Sequence, residues 1–497
     1  MTNKLNGKFP IMEKDTGMGD NTPRNQKWKT FLRQNLLTLL MFLSVVVGIG
    51  LGIGLREFRV WNERNVMYIS FPGELFLRML KCLILPLIVS SLISAIGSLD
   101  TKLSGKIGAR AVVYYLATTV LAIILGIVLV VIIRPGKGGT VNGTGIKEVE
   151  TRPTTTADTL MDLVRNMFPP NLMEACISQT STSLTRPKNA SINDTDYYSW
   201  AIDQKVTPGT NILGIVVFSI VLGITLGQMK ESGKPVLMFF SSLGDAMMMI
   251  TKWVIWLSPV GVLFLVTGKI VEMDDLSVVA GQLGLYTATV LVGLFVHGLI
   301  TLPLIYFVIV RKQPFTFMYR MLQAITTAFG TSSSSATLPV TIACLEDKNQ
   351  VDPKVSRFCL PIGATINMDG TALYEAVAAI FIAQIRNVSL DAGKIVAISI
   401  TATAASIGAA GIPQAGLVTM VMVLNAVGLP SDDVAFIYVV DWFLDRFRTS
   451  INVLGDSFGA GIVAHLSRND LTGDPETSVP STSPNFDVTA APQVTSM

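Results

Sequence analysis

The sequence predicts an all-α polytopic membrane protein with eight transmembrane helices and two re-entrant helical hairpins. Of its 497 residues, 50% are hydrophobic and only 15% are charged, and the mean hydropathy is +0.53. A soluble protein carries about 25% charged residues, so this composition indicates a chain that spans a bilayer. Apolar stretches of roughly twenty residues, the length of a helix that crosses the hydrocarbon core, recur along the chain. The net charge of +3 is too small to indicate a nucleic-acid partner.

The N-terminal tail (residues 1–35) is predicted to lie in the cytoplasm. Up to Arg33 it contains seven Lys or Arg residues and three acidic ones, and cytoplasmic segments next to a span carry such an excess of positive charge. Parity then places the basic connection around Lys106 in the cytoplasm as well. The first three spans are predicted at 36–55, 70–98 and 111–133.

Residues 135–209 form one long hydrophilic stretch between predicted spans. This stretch contains three N-x-S/T sequons, which begin at Asn142, Asn189 and Asn193. Clustered sequons are typical of a glycosylated loop on the extracellular side, and parity from a cytoplasmic N-terminus leads to the same side. We therefore predict an extracellular glycosylated loop.

The second half of the chain begins with spans predicted at 211–228, 236–266 with an interruption at Pro259, and 277–310. Two later segments, 318–345 and 393–428, are apolar but broken in the middle by small residues. Each half of these segments has about ten to fifteen residues, too few to cross a bilayer. A re-entrant hairpin whose tip stops at mid-membrane fits this pattern.

Each predicted hairpin is followed by an apolar span that contains unusual polar groups. The first span carries the segment Asn367–Thr371, and the second, predicted at 433–463, carries Asp441–Thr449. Two copies of this unit indicate inverted repeats, and paired segments interrupted by glycine or proline point to the binding site of a transporter. Residues 467–497 are rich in Ser, Thr, Pro and Asp and are predicted to be a disordered cytoplasmic tail.

Ionisable residues in the last span mark a candidate ligand site. Each costs about 2.5–3.5 kcal/mol at mid-membrane on insertion scales, so such residues normally line a pathway or a site. Their spacing of three or four residues places them on one face of a helix. An internal ladder of salt bridges is the alternative interpretation, whereas Arg446 falls off this face and is predicted to lie at a domain interface or to reach the membrane surface. The residues of this stripe are Asp441, Asp445, Arg448, Thr449, Asn452 and Asp456.

The Asn367–Thr371 segment is a candidate cation site. Asparagine and glycine weaken a helix, and unwinding would free backbone carbonyls beside the carboxylate of Asp369. Hard cations prefer these oxygen ligands, and the C-terminus of a half-helix adds a favourable dipole. A kinked packing helix is the alternative interpretation. Glu375 lies one turn beyond Thr371, and burial there would favour its protonated form near neutral pH.

The four serines Ser332–Ser335 lie at the predicted tip of the first hairpin. Their amides and hydroxyls at mid-membrane suit a ligand carboxylate, although, taken alone, a flexible turn of small residues is the simpler interpretation. The segment Gly455–Gly459 matches the GxSxG motif of hydrolases, but that motif requires a strand–turn–helix setting and here lies inside a predicted membrane helix. The histidines, His297 and His465, belong to other segments, so we do not predict an enzyme.

Four motifs resemble those of the sodium-coupled excitatory amino acid transporters of animals, and the resemblance extends from about residue 36 to residue 468. These motifs are Thr331–Pro339, Asn367–Thr371, Ala404–Gly416 and Asp441–Asp456. The resemblance implies a homotrimer in the plasma membrane with both termini in the cytoplasm. It also implies scaffold helices at 36–110 and 210–276 and an elevator-like transport domain made of 111–134 and 277–466.

The resemblance also assigns residues to sites. Those implied to bind the substrate are Ser332, Ser333, Ser334, Thr371, Ile412, Pro413, Gln414, Ala415, Gly416, Asp445, Arg448, Thr449 and Asn452, with Asp445 on the amino group and Arg448 on the side-chain carboxylate. Three sodium sites are implied: Gly363, Asn367, Asn452 and Asp456; Thr365, Ser406, Ile407 and Ala409; and Tyr115, Thr118, Thr119, Asn367 and Asp369. Glu375 matches the carboxyl linked to proton co-transport and potassium counter-transport.

The implied function is sodium-driven symport of L-glutamate and L- and D-aspartate, with proton co-transport, potassium counter-transport and an associated chloride conductance. A neutral amino acid exchanger of the same fold is the nearest alternative, but an unpaired Arg448 guanidinium facing a neutral side chain would be costly. A gated anion channel is a second alternative. An intramembrane hydrolase built on Ser457 rests on the GxSxG match alone. The expected partners are the substrate, sodium, membrane lipid and further copies of the chain.

Overall fold

The computed structural model describes residues 36–58, 61–97, 104–137, 155–185, 200–272, 276–408, 415–430 and 433–471. The tail predicted at 1–35 and the sequons at Asn142, Asn189 and Asn193 lie outside these residues. Four residues assigned to sites at the second hairpin tip also lie outside them, namely Ala409, Ile412, Pro413 and Gln414.

Helices account for most of the described chain. The first part contains α1 (Leu36–Phe58), α2 (Glu63–Gly97) and α3 (Ser104–Ile133), followed by a 3-10 turn at Pro135–Lys137. The next segment contains α4 (Thr156–Met167), α5 (Leu172–Ala175), β1 (Ser178–Thr185) and β2 (Ala201–Pro208). It leads to α6 (Ile212–Gln228), a 3-10 turn at Lys230–Ser232, α7 (Lys234–Trp256) and α8 (Ser258–Glu272).

The second half of the chain contains two interrupted helices and two pairs of short helices. The first interrupted helix is α9 (Leu276–Val296), a π-turn at His297–Thr301 and α10 (Leu302–Val310). After α11 (Pro314–Arg320) comes the first pair, α12 (Leu322–Thr331) and α13 (Ser334–Ala343), with a π-turn at Cys344–Lys348. The remaining helices are α14 (Pro353–Ile366), α15 (Asp369–Ile385), the second pair α16 (Ala392–Gly408) and α17 (Ala415–Ala426), α18 (Val434–Leu466) and α19 (Arg468–Leu471).

Five of the described helices are long and apolar enough to cross a bilayer, and counting α7 and α8 as one bent span makes six. Two of them begin earlier than predicted, α2 at Glu63 rather than at 70 and α3 at Ser104 rather than at 111. Polar residues with adequate helix propensity continue a helix beyond its apolar stretch, so hydropathy alone places these starts too late. The five lie at Leu39–Phe58, Arg64–Gly97, Lys106–Lys137, Ser277–Val310 and Pro353–Ile385.

The described chain forms two compact units, and the first contains α1, the start of α2, the end of α7 and α8. Within this unit α1 approaches α8 through two glycines. A Cβ atom on Gly48 would lie 3.0 Å from the Leu263 carbonyl oxygen, and one on Gly52 would lie 2.7 Å from Ile270 Cβ. Small residues at such positions allow two helix backbones to approach closely, as is common in membrane proteins.

The second unit contains the remaining described elements, and many of its buried polar residues lie on α15 and α18. Every residue of α15 except Gln384 is buried. Phe458 of α18 stacks on Phe317 of α11 at 5.2 Å between ring centroids and lies 5.1 Å from the Tyr306 ring of α10. Aromatic contacts of this size stabilise the packing of α18 against α10 and α11. The polar residues of α15 and α18 are therefore enclosed by protein.

The prediction of an all-α chain is wrong within the stretch at 135–209. β1 and β2 pair antiparallel, with Ser178 opposite Pro208 and Thr185 opposite Ala201. The sequence of β1, SQTSTSLT, contains threonines that favour a strand. However, it lacks the alternation of apolar and polar residues by which a strand is recognised, so the periodicity of the sequence does not reveal this hairpin.

The C-terminal tail predicted to be disordered from residue 467 is ordered at its start. Ser467 is fully buried, and α19 follows it. Asp470 pairs with Arg110 at 2.6 Å and with Lys106 at 3.1 Å. Hydrogen bonds from Arg110 and Lys106 hold the pKa of the Asp470 carboxyl below its usual value. The composition of the tail does not show these contacts because both partners lie at the start of α3.

Asp433→Asn is expected to destabilise the second unit by about 2–3 kcal/mol, less than the loss of a fully buried ion pair, because it removes the charge of Asp433 from its contact with the partly buried Arg386 guanidinium. Arg386 at the end of α15 donates to both oxygens of Asp433 at the start of α18, at 2.6 and 2.7 Å, and the Asp433 side chain is almost fully buried. Thermal unfolding of the purified protein in detergent measures the change. The control is Glu231→Gln, which removes the exposed partner of Lys234 and should cost less than about 1 kcal/mol. Equal effects of the two variants would contradict the prediction.

Candidate functional site

The span that carries the Asn367–Thr371 segment is unwound at its centre, as predicted. Asn367 (φ −95°, ψ 79°) and Met368 (φ −111°, ψ 61°) leave the helical region and separate α14 from α15. The backbone N–H of Asn367 still donates to the Gly363 carbonyl at 2.8 Å and so completes the last turn of α14. The C-terminus of one half-helix and the N-terminus of the next therefore meet inside the second unit.

Asp369, the first residue of α15, is the centre of a fully buried hydrogen-bond network. One carboxylate oxygen accepts hydrogen bonds from Thr119 at 2.8 Å and from Thr118 at 3.2 Å. The other oxygen lies 3.1 Å from His297 Nε2. Thr118 also lies 3.3 Å from the amide oxygen of Asn367. Carboxylate, hydroxyl and amide oxygens that converge in this way match the ligands of a hard cation.

A second carboxylate, Asp456 of α18, joins this network. Asn367 Nδ2 donates to Asp456 Oδ1 at 3.1 Å. Gly363 is required here, since a Cβ atom on it would lie 2.5 Å from the same Asp456 oxygen and 3.1 Å from the Tyr115 hydroxyl. That hydroxyl donates to the Cys359 carbonyl at 2.9 Å. The residues assigned to two sodium sites, from α3, the unwound segment and α18, therefore lie together.

The described residues assigned to a third sodium site are divided between α14 and α16. Thr365 lies in the last turn of α14 and donates to a carbonyl of its own helix at 3.0 Å. Ser406 is buried in α16 and likewise donates within its helix at 2.9 Å, and Ile407 follows it. α14 and α16 contact each other, but the hydrogen bonds of these two hydroxyls remain within their own helices. This set stays a prediction.

Arg448 of α18 is a buried cation with an exposed fraction of 2%. Its guanidinium contacts Asp445 at 2.5 Å and Asp441 at 3.4 Å, and it lies 4.3 Å from the centre of the Tyr374 ring. Gly416 at the start of α17 lies directly against the guanidinium, where a Cβ atom would collide with it. The charged end of Arg448 is thus surrounded by α15, α17 and α18, a setting in which a guanidinium can bind a carboxylate with two parallel hydrogen bonds.

The stripe on α18 is more than an internal ladder of salt bridges. Beyond Arg448 it continues with Asn452, which accepts a hydrogen bond from the Gly370 amide at 2.8 Å and donates to the Thr371 hydroxyl at 3.2 Å. Thr449 lies between them in sequence and is buried. The stripe therefore faces the start of α15, and the predicted substrate residues of the two helices are in contact.

The first hairpin turns at the predicted serines. Ser332 has a left-handed conformation (φ 50°, ψ 32°), and Ser333 caps α13 by accepting a hydrogen bond from the Ala336 amide at 3.2 Å. Ser332, Ser333 and Ser334 are buried, whereas Ser335 is exposed. Because α12 and α13 both contact α18, three buried serines lie at the turn of a hairpin packed on the helix that carries the stripe.

The second hairpin is connected to α15 through Glu375. The Thr419 hydroxyl of α17 donates to one oxygen of this carboxyl, and the side chain is fully buried. The other oxygen has no hydrogen-bond partner within the described ranges. A buried polar atom without a partner is rare and calls for a functional explanation. Glu375 is therefore a candidate for a group that changes its protonation or its partner during function.

Comparison with known proteins identifies the family of the chain. The profile of the sodium:dicarboxylate symporter family matches residues 37–466. The chain belongs to this family. It is 54% identical over 471 residues to excitatory amino acid transporter 1 of Ambystoma tigrinum, covering 90% of this chain and 86% of that protein. It is 50% identical over 475 residues to excitatory amino acid transporter 3 of Bos taurus (91% and 90%) and 54% identical over 464 residues to excitatory amino acid transporter 1 of Homo sapiens (89% and 85%).

Arg446 in this member of the sodium:dicarboxylate symporter family has a contact that the sequence did not reveal. The prediction placed it at a domain interface or at the membrane surface. In the structure, its guanidinium donates to the carbonyls of Phe329 and Gly330 at 2.8 and 3.2 Å, near the C-terminus of α12. A positive charge is favourable there because helix carbonyls and the helix dipole are negative at that end. The partner lies more than a hundred residues away in sequence, so spacing on α18 could not show it.

His297 is a residue beside the candidate site that sequence reasoning missed. It was considered only as a member of a catalytic triad and set aside, yet it contacts Asp369. The available signal was an ionisable residue within an apolar span, which usually marks function. Ser457 of the GxSxG segment lies inside a helix, α18, as predicted. Its hydroxyl donates to the Val453 carbonyl at 2.6 Å.

Proposed function

We propose that this family member is a secondary active transporter that takes up L-glutamate and L- and D-aspartate, driven by sodium. The names of its family and of its relatives support this proposal. The single observation that carries it is the buried pair of Arg448 and Asp445. A cation and an anion one helical turn apart suit an acidic amino acid, because they can hold its side-chain carboxylate and its amino group.

Substrate binding rearranges this ion pair. In the structure, Asp445 contacts the Arg448 guanidinium directly. When the substrate enters, its side-chain carboxylate takes the place of Asp445 on the guanidinium, and Asp445 receives the substrate ammonium. Arg448 and Asp445 therefore each keep an oppositely charged partner, so neither becomes an isolated buried charge. The other residues proposed to line the pocket are Ser332, Ser333, Ser334, Thr371, Ala415, Gly416, Thr449 and Asn452, together with Ile412, Pro413 and Gln414.

Sodium ions are proposed as the coupling cargo, and Asn452 links them to the substrate. Asn452 is assigned both to the sodium site with Asp456 and to the substrate pocket, where it touches Thr371. A cation that fixes the Asn452 side chain therefore sets the position of a group that contacts substrate. Such shared contacts make sodium and substrate raise each other's affinity reciprocally.

Glu375 is proposed to carry the proton and to take part in potassium counter-transport. Its carboxyl is buried and lies between α15 and the second hairpin through Thr419. A change in its charge therefore alters the contact between the hairpin and the rest of the site. This arrangement couples the counter-transport of potassium with the conformation of the second hairpin.

The wider architecture is also proposed from the family resemblance. The chain forms a homotrimer in the plasma membrane, with its termini in the cytoplasm and the 135–209 loop outside. Eight spans and two re-entrant hairpins build scaffold helices (36–110 and 210–276) and an elevator-like transport domain (111–134 and 277–466). A chloride conductance accompanies transport.

Uptake into liposomes tests the proposed function. With sodium outside and potassium inside, proteoliposomes should accumulate radiolabelled glutamate and aspartate above the external concentration, and replacing sodium with choline should abolish this. A gated anion channel cannot concentrate its ligand, and a neutral exchanger should prefer alanine or serine, so either result would overturn the proposal. Ser457→Ala is the control against a hydrolase and should leave uptake intact.

A further inference from the structure

Three groups hold the carboxylate of Asp369, and they differ in their relation to sodium. Thr118 and Thr119 donate to one oxygen, and His297 Nε2 lies 3.1 Å from the other. The two threonines and Asp369 are themselves proposed sodium ligands. His297 is not, and its side chain is fully buried against Asp369.

The threonines and the histidine make different kinds of contact with the carboxylate. A threonine hydroxyl has lone pairs as well as one hydrogen, so Thr118 and Thr119 can coordinate a cation through their oxygens, whereas an imidazole N–H only donates. His297 can therefore hold Asp369 without competing with the carboxylate for the ion.

The backbone fixes the position of His297. The residue opens a π-turn that interrupts α9 and α10, and π-turns are frequent at functional sites. The next residue, Gly298, lies directly against Ile451 of α18, where a Cβ atom would collide with that side chain. We assign the hydrogen to Nε2, since a bare nitrogen there would repel the Asp369 carboxylate, and Nδ1 has no hydrogen-bond partner in the described part of the chain.

We propose that His297 is a positioning residue for sodium, which holds the Asp369 carboxylate in its ion-binding orientation from outside the set of ligands. This inference rests on the proposed sodium site at Asp369 and adds a group to it that is not a ligand. Partners that orient metal-binding carboxylates from outside the ligand set usually contribute tenfold to a hundredfold to affinity. The same factor is expected here.

Three variants test this proposal: His297→Leu, which removes the donor, His297→Gln, which restores one at a similar reach, and Thr289→Val as a matched control. Thr289 is equally buried on α9, and its hydroxyl donates to the Leu285 carbonyl of its own helix. In His297→Leu the sodium concentration for half-maximal uptake should rise about 10- to 100-fold, with little change in the KM for glutamate at saturating sodium. His297→Gln and Thr289→Val should remain close to the unmodified protein.

A second measurement does not depend on transport. Sodium that binds the folded protein stabilises it in proportion to the logarithm of its concentration over its dissociation constant. The unfolding temperature of the purified protein is measured without substrate in sodium chloride and in choline chloride. In His297→Leu the sodium concentration at which this temperature begins to rise should be 10- to 100-fold higher. A purely structural role would lower stability in both salts alike and leave this onset unchanged.

The outcomes separate this inference from the proposed function. Unmodified protein without sodium-dependent uptake would overturn the proposed function. Sodium-dependent uptake in the unmodified protein, with an unchanged sodium requirement in His297→Leu, would overturn the role of His297 alone. Equal shifts in His297→Leu and His297→Gln would also overturn it, because the hydrogen-bond donor would then not be the feature that matters.

Discussion

Arg448→Cys is expected to abolish uptake of glutamate and aspartate and to open the site to small neutral amino acids. Removing one partner of a buried ion pair costs about 3–5 kcal/mol, which corresponds to roughly a hundredfold to several-thousandfold loss of affinity. The guanidinium contacts Asp445 and Asp441 and lies over the Tyr374 ring, so a cysteine leaves space where the acidic side chain would bind. The free amino acids serine and cysteine should fit this space as substrates. Asp445 would hold their amino group, and the serines of the first hairpin would hold their carboxylate.

Uptake of radiolabelled aspartate, glutamate and serine into proteoliposomes measures this change. Asp445→Asn is the matched variant one turn away, and it should lose both acidic and neutral substrates because neither amino group is then held by an anion. Near-normal aspartate affinity in a folded Arg448→Cys variant would show that Arg448 is only a structural partner of the neighbouring acids. The acidic-substrate assignment would then lose its physical basis.

Glu375→Gln is expected to abolish net uptake driven by potassium while sodium-dependent exchange of substrate continues. Glutamine keeps the shape of the protonated carboxyl and cannot lose a proton. Its amide oxygen can still accept the hydrogen bond from Thr419 that links α15 to the second hairpin. The protein should therefore still bind and exchange substrate with sodium. The potassium-dependent return step, which requires a charged carboxyl, should be lost.

Two assays distinguish these steps. Exchange is measured by labelled aspartate entering liposomes preloaded with unlabelled aspartate, and net uptake is measured with internal potassium and no internal substrate. Glu346→Gln is the matched control, since Glu346 is a partly buried carboxyl that also accepts hydrogen bonds, but from Arg357 and Ser356. If net uptake by Glu375→Gln kept its normal size and potassium dependence, Glu375 would have no part in the return step.

The positions of the spans, the break at Asn367 and the stripe on α18 follow from the sequence by itself. These features depend on local chemistry: the length of an apolar stretch, the weak helix propensity of asparagine and glycine, and the 3.6-residue period of a helix. The turn at Ser332 and Ser333 has the same origin, since a run of small polar residues between two short apolar segments favours a hairpin. The structure confirms the break, the helical stripe and the turn, and it places helices over the predicted spans, although α2 and α3 begin earlier than predicted.

Other features were decided only by tertiary structure, because their causes lie far apart in the chain. His297 reaches Asp369 from a π-turn 72 residues earlier, and Arg446 finds its carbonyls on α12. The hairpin of β1 and β2 depends on backbone pairing between two polar segments, which leaves no apolar period to read. The close contact of Gly416 with Arg448 depends on how α17 packs against α18. Local sequence determines which residues are available on each helix face, whereas long-range packing determines which of them meet in a buried site, where a missing partner is costly.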